Sequence, residues 1–121
     1  MSTPSAWTIE YYVEDDGTVP VREFILGLDA KTRARFEWSL EQLRVRNVLA
    51  REPLVKQVEG KIYELREESR TNIYRVFYFF FTGRRIVLLH GFQKKTPKTP
   101  SNEIAMARQR MNRFIEKEGG E

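Results

Sequence analysis

KIYELREESRTNIYRVFYFFFTGRRIVLLHGFQ, residues 61–93, decides the fold. Three runs within it, KIYELRE (61–67), NIYRVFYFFF (72–81) and RRIVLLHGFQ (84–93), are rich in β-branched and aromatic residues and read as strands. Only ESRT and Thr82-Gly83 separate them. Links that short join antiparallel neighbours, because a parallel return needs a long crossover. Alternation puts Ile62, Glu64 and Arg66 on one face of the first strand, and Tyr63, Leu65 and Glu67 on the other. In the second strand Arg75, Phe77, Phe79 and Phe81 share one face, and Tyr74, Val76, Tyr78 and Phe80 the other. In the third, His90 has the parity of Leu88 and Phe92. The register between strands stays open at this stage.

Outward from this core, Trp7–Val13 reads as a further strand and EDDGT as a turn. Pro20 suits a first helical position, Val21, Phe24, Ile25 and Leu28 follow at helical spacing, and Gly27 marks the stop. Asp29 is the expected N-cap of a helix from about Ala30 to Asn47, with Phe36, Leu40 and Leu43 as its apolar stripe. Residues 48–60 hold Pro53, end at Gly60 and read as a connection. A last helix starts near Thr99-Pro100-Ser101, carries the stripe Ile104, Ala107, Met111, Phe114 and Ile115, and ends at Gly119-Gly120. The order β-α-α-β-β-β-α predicts an α+β domain: an antiparallel sheet with helices on one face, the other facing solvent or a partner. Residues 1–121 form one domain, with 1–6 and 117–121 expected as flexible ends.

Composition narrows the function. The chain has 121 residues and no cysteine, which excludes a disulfide scaffold and cysteine-ligated zinc and fits a cytoplasmic protein. There is no signal-peptide pattern, and no apolar run near the roughly 18–20 residues of a membrane span. One histidine and no His or Cys cluster predict neither a metal nor a cofactor. Glu14-Asp15-Asp16 reads as a solvated turn. Between Arg84 and Arg113 stand eight basic residues and one acid, a balance of +7; the remainder carries 13 basic and 16 acidic residues, or −3. Such asymmetry suits a polyanion such as RNA or DNA, the plain alternative being a solvated basic face.

Lys98, Arg84, Arg85 and Arg108 are therefore candidate RNA-binding cations. Arg66 and Arg75 sit in largely apolar strands, where an unpartnered guanidinium is costly. They either pair with Glu64 or Glu67, or line an open concave face that binds phosphate. Phe77–Phe81 read mainly as core, with Tyr78 a candidate for stacking on an unpaired base. His90 reads as a satisfied, partly buried side chain, with a general base as the alternative.

The succession ELRE, IYRVFYFF and GRRIVLLHGFQKKTPKTPSNEIAMARQRM resembles the phage-derived branch of the HigB-like toxins, within the RelE/ParE superfamily of toxin–antitoxin systems. The resemblance spans residues 7–116 and is densest from Glu64 to Arg110. It implies a RelE-like fold and an endoribonuclease that inhibits translation by cutting mRNA, in many relatives on the ribosome. It implies a cognate helix-turn-helix antitoxin; a second copy of the chain is a further candidate partner. ParE-type relatives poison DNA gyrase without cleaving RNA. A gyrase inhibitor and an inactive prophage-derived RNA-binding protein are thus the alternatives.

On this resemblance Arg75 matches the arginine of the superfamily's Tyr-Arg strand and would hold the phosphorane, with Arg66 as its partner. Lys94 and Lys95 match the basic residues after the last strand and would bind the backbone, one of them acting as acid or base. Glu64 and His90 are alternative bases. Pro97 stands where the family pattern has a polar residue, often glutamine, which places Lys98 behind Lys94 and Lys95.

Overall fold

The structure, a computed structural model, describes residues 6–46 and 55–119. Its elements are β1 (Thr8–Tyr11), α1 (Pro20–Leu26), α2 (Ala30–Arg46), β2 (Val55–Glu59), β3 (Ile62–Ser69), β4 (Asn72–Phe81), β5 (Arg85–Lys94) and α3 (Ser101–Lys117). The α+β class stands, and one sheet of order β1-β5-β4-β3-β2 runs through the molecule. Three features depart from the sequence expectation. The stretch expected as a connection contains β2, which pairs with β3 through a tight turn at Gly60, φ +53°. Pairing of β1 with β5 is parallel, so the sheet is mixed. Helices cover both faces: α1 and α2 one, α3 the other.

Two-sided cover explains the unbroken apolar run of β4. A strand buried on both faces carries apolar residues at every position rather than every second one. Val76 and Tyr78 point with Leu65, Ile86 and Leu88 toward Val21, Ile25, Phe36, Leu40 and Leu43 of α1 and α2. Phe77, Phe79 and Phe81 point the other way, with Ile62, Val87 and Leu89, and meet Ala107 and Phe114 of α3. Phe114 sits edge-on to both Phe79 and Phe81, with ring centroids 6.0 and 5.2 Å apart.

Local chemistry sets the helix boundaries. Pro20 opens α1, as expected. Asp29 caps α2: its carboxylate accepts from Thr32 N at 3.1 Å and Thr32 Oγ1 at 2.7 Å. Pro100 precedes α3, and Gly119 takes φ +105° just past its end. The end expected at Asn47, residues 48–54 of the expected connection, and most of the expected flexible ends lie outside the described residues. Lys117, within one of those ends, closes α3.

α3 is stitched down by three ion pairs. Arg108 pairs with Glu59 of β2 at 2.8 Å, Arg110 with Glu14 of the turn after β1 at 3.0 Å, and Lys117 with Asp15 at 2.8 Å. It begins only at Ser101, so it leaves one end of its sheet face uncovered.

Candidate nucleic-acid site

The uncovered end is where charged side chains converge. The register places Lys56 opposite Glu64, Arg66 opposite Arg75, and Ile73 opposite Lys94. Side chains of paired residues share a face, so Lys56, Glu64, Arg66, Arg75 and Lys94 all stand on the α3 side. Lys56, Glu64, Arg75, Lys94 and Lys98 line one cleft of about 240 Å³. Gln57, Val58, Thr99 and Ile104 complete its walls.

Glu64 and Arg75 form the floor as an ion pair between Arg75 Nη1 and Glu64 Oε2. Their side chains are only 5% and 9% exposed. Burial pulls the Arg75 pKa down, but a guanidinium keeps its charge at any ordinary pH. Arg75 Nε is buried without a hydrogen-bond partner. Arg66, directly across the ladder, is more exposed and pairs with Glu68 at 2.6 Å. Two like charges opposite one another are unfavourable; Glu64 and Glu68 offset that repulsion.

Lys94 is the perturbed titrating group of the cleft. Partial burial lowers its pKa first, and the positive charges of Arg75, Lys56 and Arg66 lower it further. The sequence points to crowding by Lys95, Lys98 and the arginines; the arginines, Arg75 and Arg66, do act on Lys94, and Lys56 of β2 takes the place of the two neighbouring lysines.

The remaining candidates lie elsewhere. Lys95 is exposed and does not line the cleft. Arg85 starts β5 at the end opposite Lys94, its guanidinium 4.7 Å from the Phe81 ring centroid and 3.0 Å from Glu118. Arg84 lies beside it in the hairpin turn, at φ +58°. Arg108 is occupied by Glu59. Tyr78 has no exposed surface and stacks on Tyr63 beneath the other face, so its ring is closed to a base. Burial raises the Tyr78 pKa well above the usual phenol range.

His90 lies on the α3 face outside the cleft lining, between Glu103 at 2.5 Å and Arg110 at 3.1 Å. Its expected parity with Leu88 fails at a register shift in β5. Burial lowers its pKa most, Arg110 adds to that, and Glu103 opposes it.

A wider groove of about 770 Å³ lies between the Glu14–Asp16 turn and α3. Arg110 there is already paired with Glu14, and Arg113 lies 4.0 Å from it. Among the described residues no three His, Cys, Asp or Glu side chains are grouped to hold a metal ion, and no helix is long and apolar enough to cross a membrane.

The site is thus a cationic cleft over a buried carboxylate–guanidinium pair in a small α+β domain. Residues 23–112 match the phage-derived Gp49-like protein family (DUF891), and the chain belongs to that family, which is placed among the RelE-like toxins of toxin–antitoxin systems. No curated protein matches the chain.

Proposed function

We infer that this protein is the toxin of a type II toxin–antitoxin pair, and that it is an endoribonuclease cleaving mRNA in the Lys56–Arg75–Lys94 cleft. The observation that carries this reading is the convergence of Lys56, Arg75, Lys94 and Lys98 around Glu64 in one small cleft. A phosphodiester fits that cation set, and a guanidinium suits its oxygens.

In this reading the ribose 2′-oxygen attacks the adjacent phosphorus and the bond from phosphorus to the 5′-oxygen breaks. The products are a 2′,3′-cyclic phosphate and a 5′-hydroxyl. Arg75 and Lys56 stabilise the extra negative charge of the phosphorane. Glu64 aligns Arg75 and takes the 2′-hydroxyl proton. Lys94, with its lowered pKa, gives its proton to the leaving 5′-oxygen. Lys98 binds the neighbouring phosphate. The natural setting is translated mRNA in the cytoplasm, restrained by a helix-turn-helix antitoxin.

Primer extension on a reporter mRNA after brief induction tests this. New cuts in translated regions should appear with wild type and vanish with Lys94→Ala and with folded Arg75→Ala. Arrested growth with intact mRNA would overturn the reading in favour of a gyrase inhibitor. Normal growth with intact mRNA would leave an RNA-binding protein without catalysis.

A further inference from the structure

We propose that the β5 bulge makes His90 a positioning residue, tying the first turns of α3 to the sheet and so fixing the cleft wall beside Lys94. Its effect on rate rests on the ribonuclease reading; the tether rests on geometry alone.

The geometry begins with one extra residue. Phe77 pairs with His90, yet Tyr78 pairs with Leu88, so Leu89 stands unmatched in β5. Such a bulge re-aims the side chain that follows it. Leu89 and His90 both end up on the α3 side: Leu89 packs among Phe77, Phe79 and Phe114, and His90 reaches α3. Arg110 Nη1 donates to the Leu89 carbonyl at 2.9 Å and also to His90 Nδ1 at 3.1 Å. One guanidinium nitrogen therefore serves both the bulge and the ring.

That contact sets the tautomer. Arginine only donates, so Nδ1 is bare and Nε2 carries the proton, which it gives to Glu103 Oε1 at 2.5 Å. The ring lies stacked on Phe92, with centroids 5.6 Å apart and planes at 18°. The groups facing His90 are Glu103 and Arg110 from α3, Phe77 from β4 and Phe92 from β5, with Glu14 behind Arg110. Both ring nitrogens are engaged, which leaves none to receive a 2′-hydroxyl proton.

The tether acts on the cleft through the chain. Glu103 lies in the first turn of α3, Ile104 beside it lines the cleft, and Thr99 and Lys98 lead into the helix. Holding Glu103 holds that wall.

The experiment compares His90→Ala, Glu103→Ala, their double variant and His90→Gln, whose amide keeps a donor for Glu103 but is no base. Two readouts run together: cleavage rates across pH, and hydrogen exchange at Ala105, Met106 and Ala107, whose amides close the first helical turn. Both alanine variants should exchange faster there and lose about ten- to a hundredfold in kcat/KM, as expected of misplacement. The double variant should be no worse than either. His90→Gln should keep wild-type exchange, most of the activity and the same pH profile.

Unchanged exchange in folded His90→Ala and Glu103→Ala overturns the tether. So does His90→Gln with normal exchange and about a 10²–10⁴-fold loss, since that is the signature of a lost base. If the wild-type protein cuts no RNA, the ribonuclease reading falls, and exchange alone decides the tether.

Discussion

At the scale of single residues, the molecule turns on a buried pair and one lysine. Glu64 and Arg75 are nearly inaccessible, so removing either leaves the other charge buried. Glu64→Ala should lose about 3–5 kcal/mol in urea unfolding, the usual consequence of breaking a buried ion pair. Glu64→Gln keeps an acceptor for Arg75 and should lose less; an equal loss would show that charge rather than hydrogen bonding holds the floor. Lys94 makes a separate prediction. Its pKa lies below the ordinary 10.5, from burial first and then from Arg75, Lys56 and Arg66. Lys56→Ala removes one like charge, so the Lys94 side chain should titrate at higher pH in an NMR titration. The linkage sign follows: the unfolded chain holds the extra proton between the two pKa values, so the lysine's contribution to stability grows as pH rises through that window. A Lys94 titration unmoved by Lys56→Ala would separate β2 from the site's electrostatics.

At the scale of elements, β5 is the most constrained. A Cβ on Gly91 would lie 2.4 Å from Phe24 Cδ2 and 2.8 Å from its Cγ, so α1 sits on β5 only because position 91 has no side chain. Gly91→Ala should destabilise by about 1–3 kcal/mol, the range for overpacking. Phe24→Leu in the same chain should recover part of that by shortening the obstructing ring; calorimetric melting of both variants checks it. This contact also marks what sequence can and cannot show. The strands of β3, β4 and β5 were legible because their apolar runs are long and their links short. Asp29 and Pro20 were legible as helix starts because their chemistry is local. β2 reads as a connection because Lys56, Gln57 and Glu59 dilute its apolar character; Gly60 between two extended runs is the available sign of a hairpin. The bulge at Leu89 left no such mark, since simple alternation carries His90 with Leu88. Of the site, Arg75, Glu64 and Lys94 were nameable one by one. Their juxtaposition with Lys56 is set by register, which strand sequence leaves open.

At the scale of the whole molecule, linear charge and spatial charge differ. The +7 segment from Arg84 to Arg113 suggests one basic face. Folding disperses it: Arg85 engages Glu10 and Glu118, Arg108 engages Glu59, Arg110 engages Glu14, and these ties fasten α3 and the hairpin turn. β5 has ten residues, so Arg85 and Lys94 lie about 30 Å apart at 3.3 Å per residue. The cations that line the cleft are Lys56 from β2, Arg75 from β4, and Lys94 and Lys98 from the chain's last third, with Arg66 of β3 on the same face and acting on Lys94. The fold therefore offers a polyanion a short cationic track rather than a broad face, and the salt dependence of RNA binding would measure its length. Single-stranded RNA binding weakens with a log–log slope of about −0.7 per phosphate neutralised. If Lys56, Arg66, Lys94 and Lys98 each neutralise one phosphate, binding of a 2′-deoxy-blocked oligonucleotide should fall with a slope of about −3. Lys56→Ala should reduce that slope by about 0.7, while Arg85→Gln should leave it unchanged. Fluorescence anisotropy across a series of salt concentrations gives both values. A slope that dropped with Arg85→Gln and ignored Lys56→Ala would move the polyanion to the opposite end of β5 and leave the Glu64–Arg75 floor a structural pair.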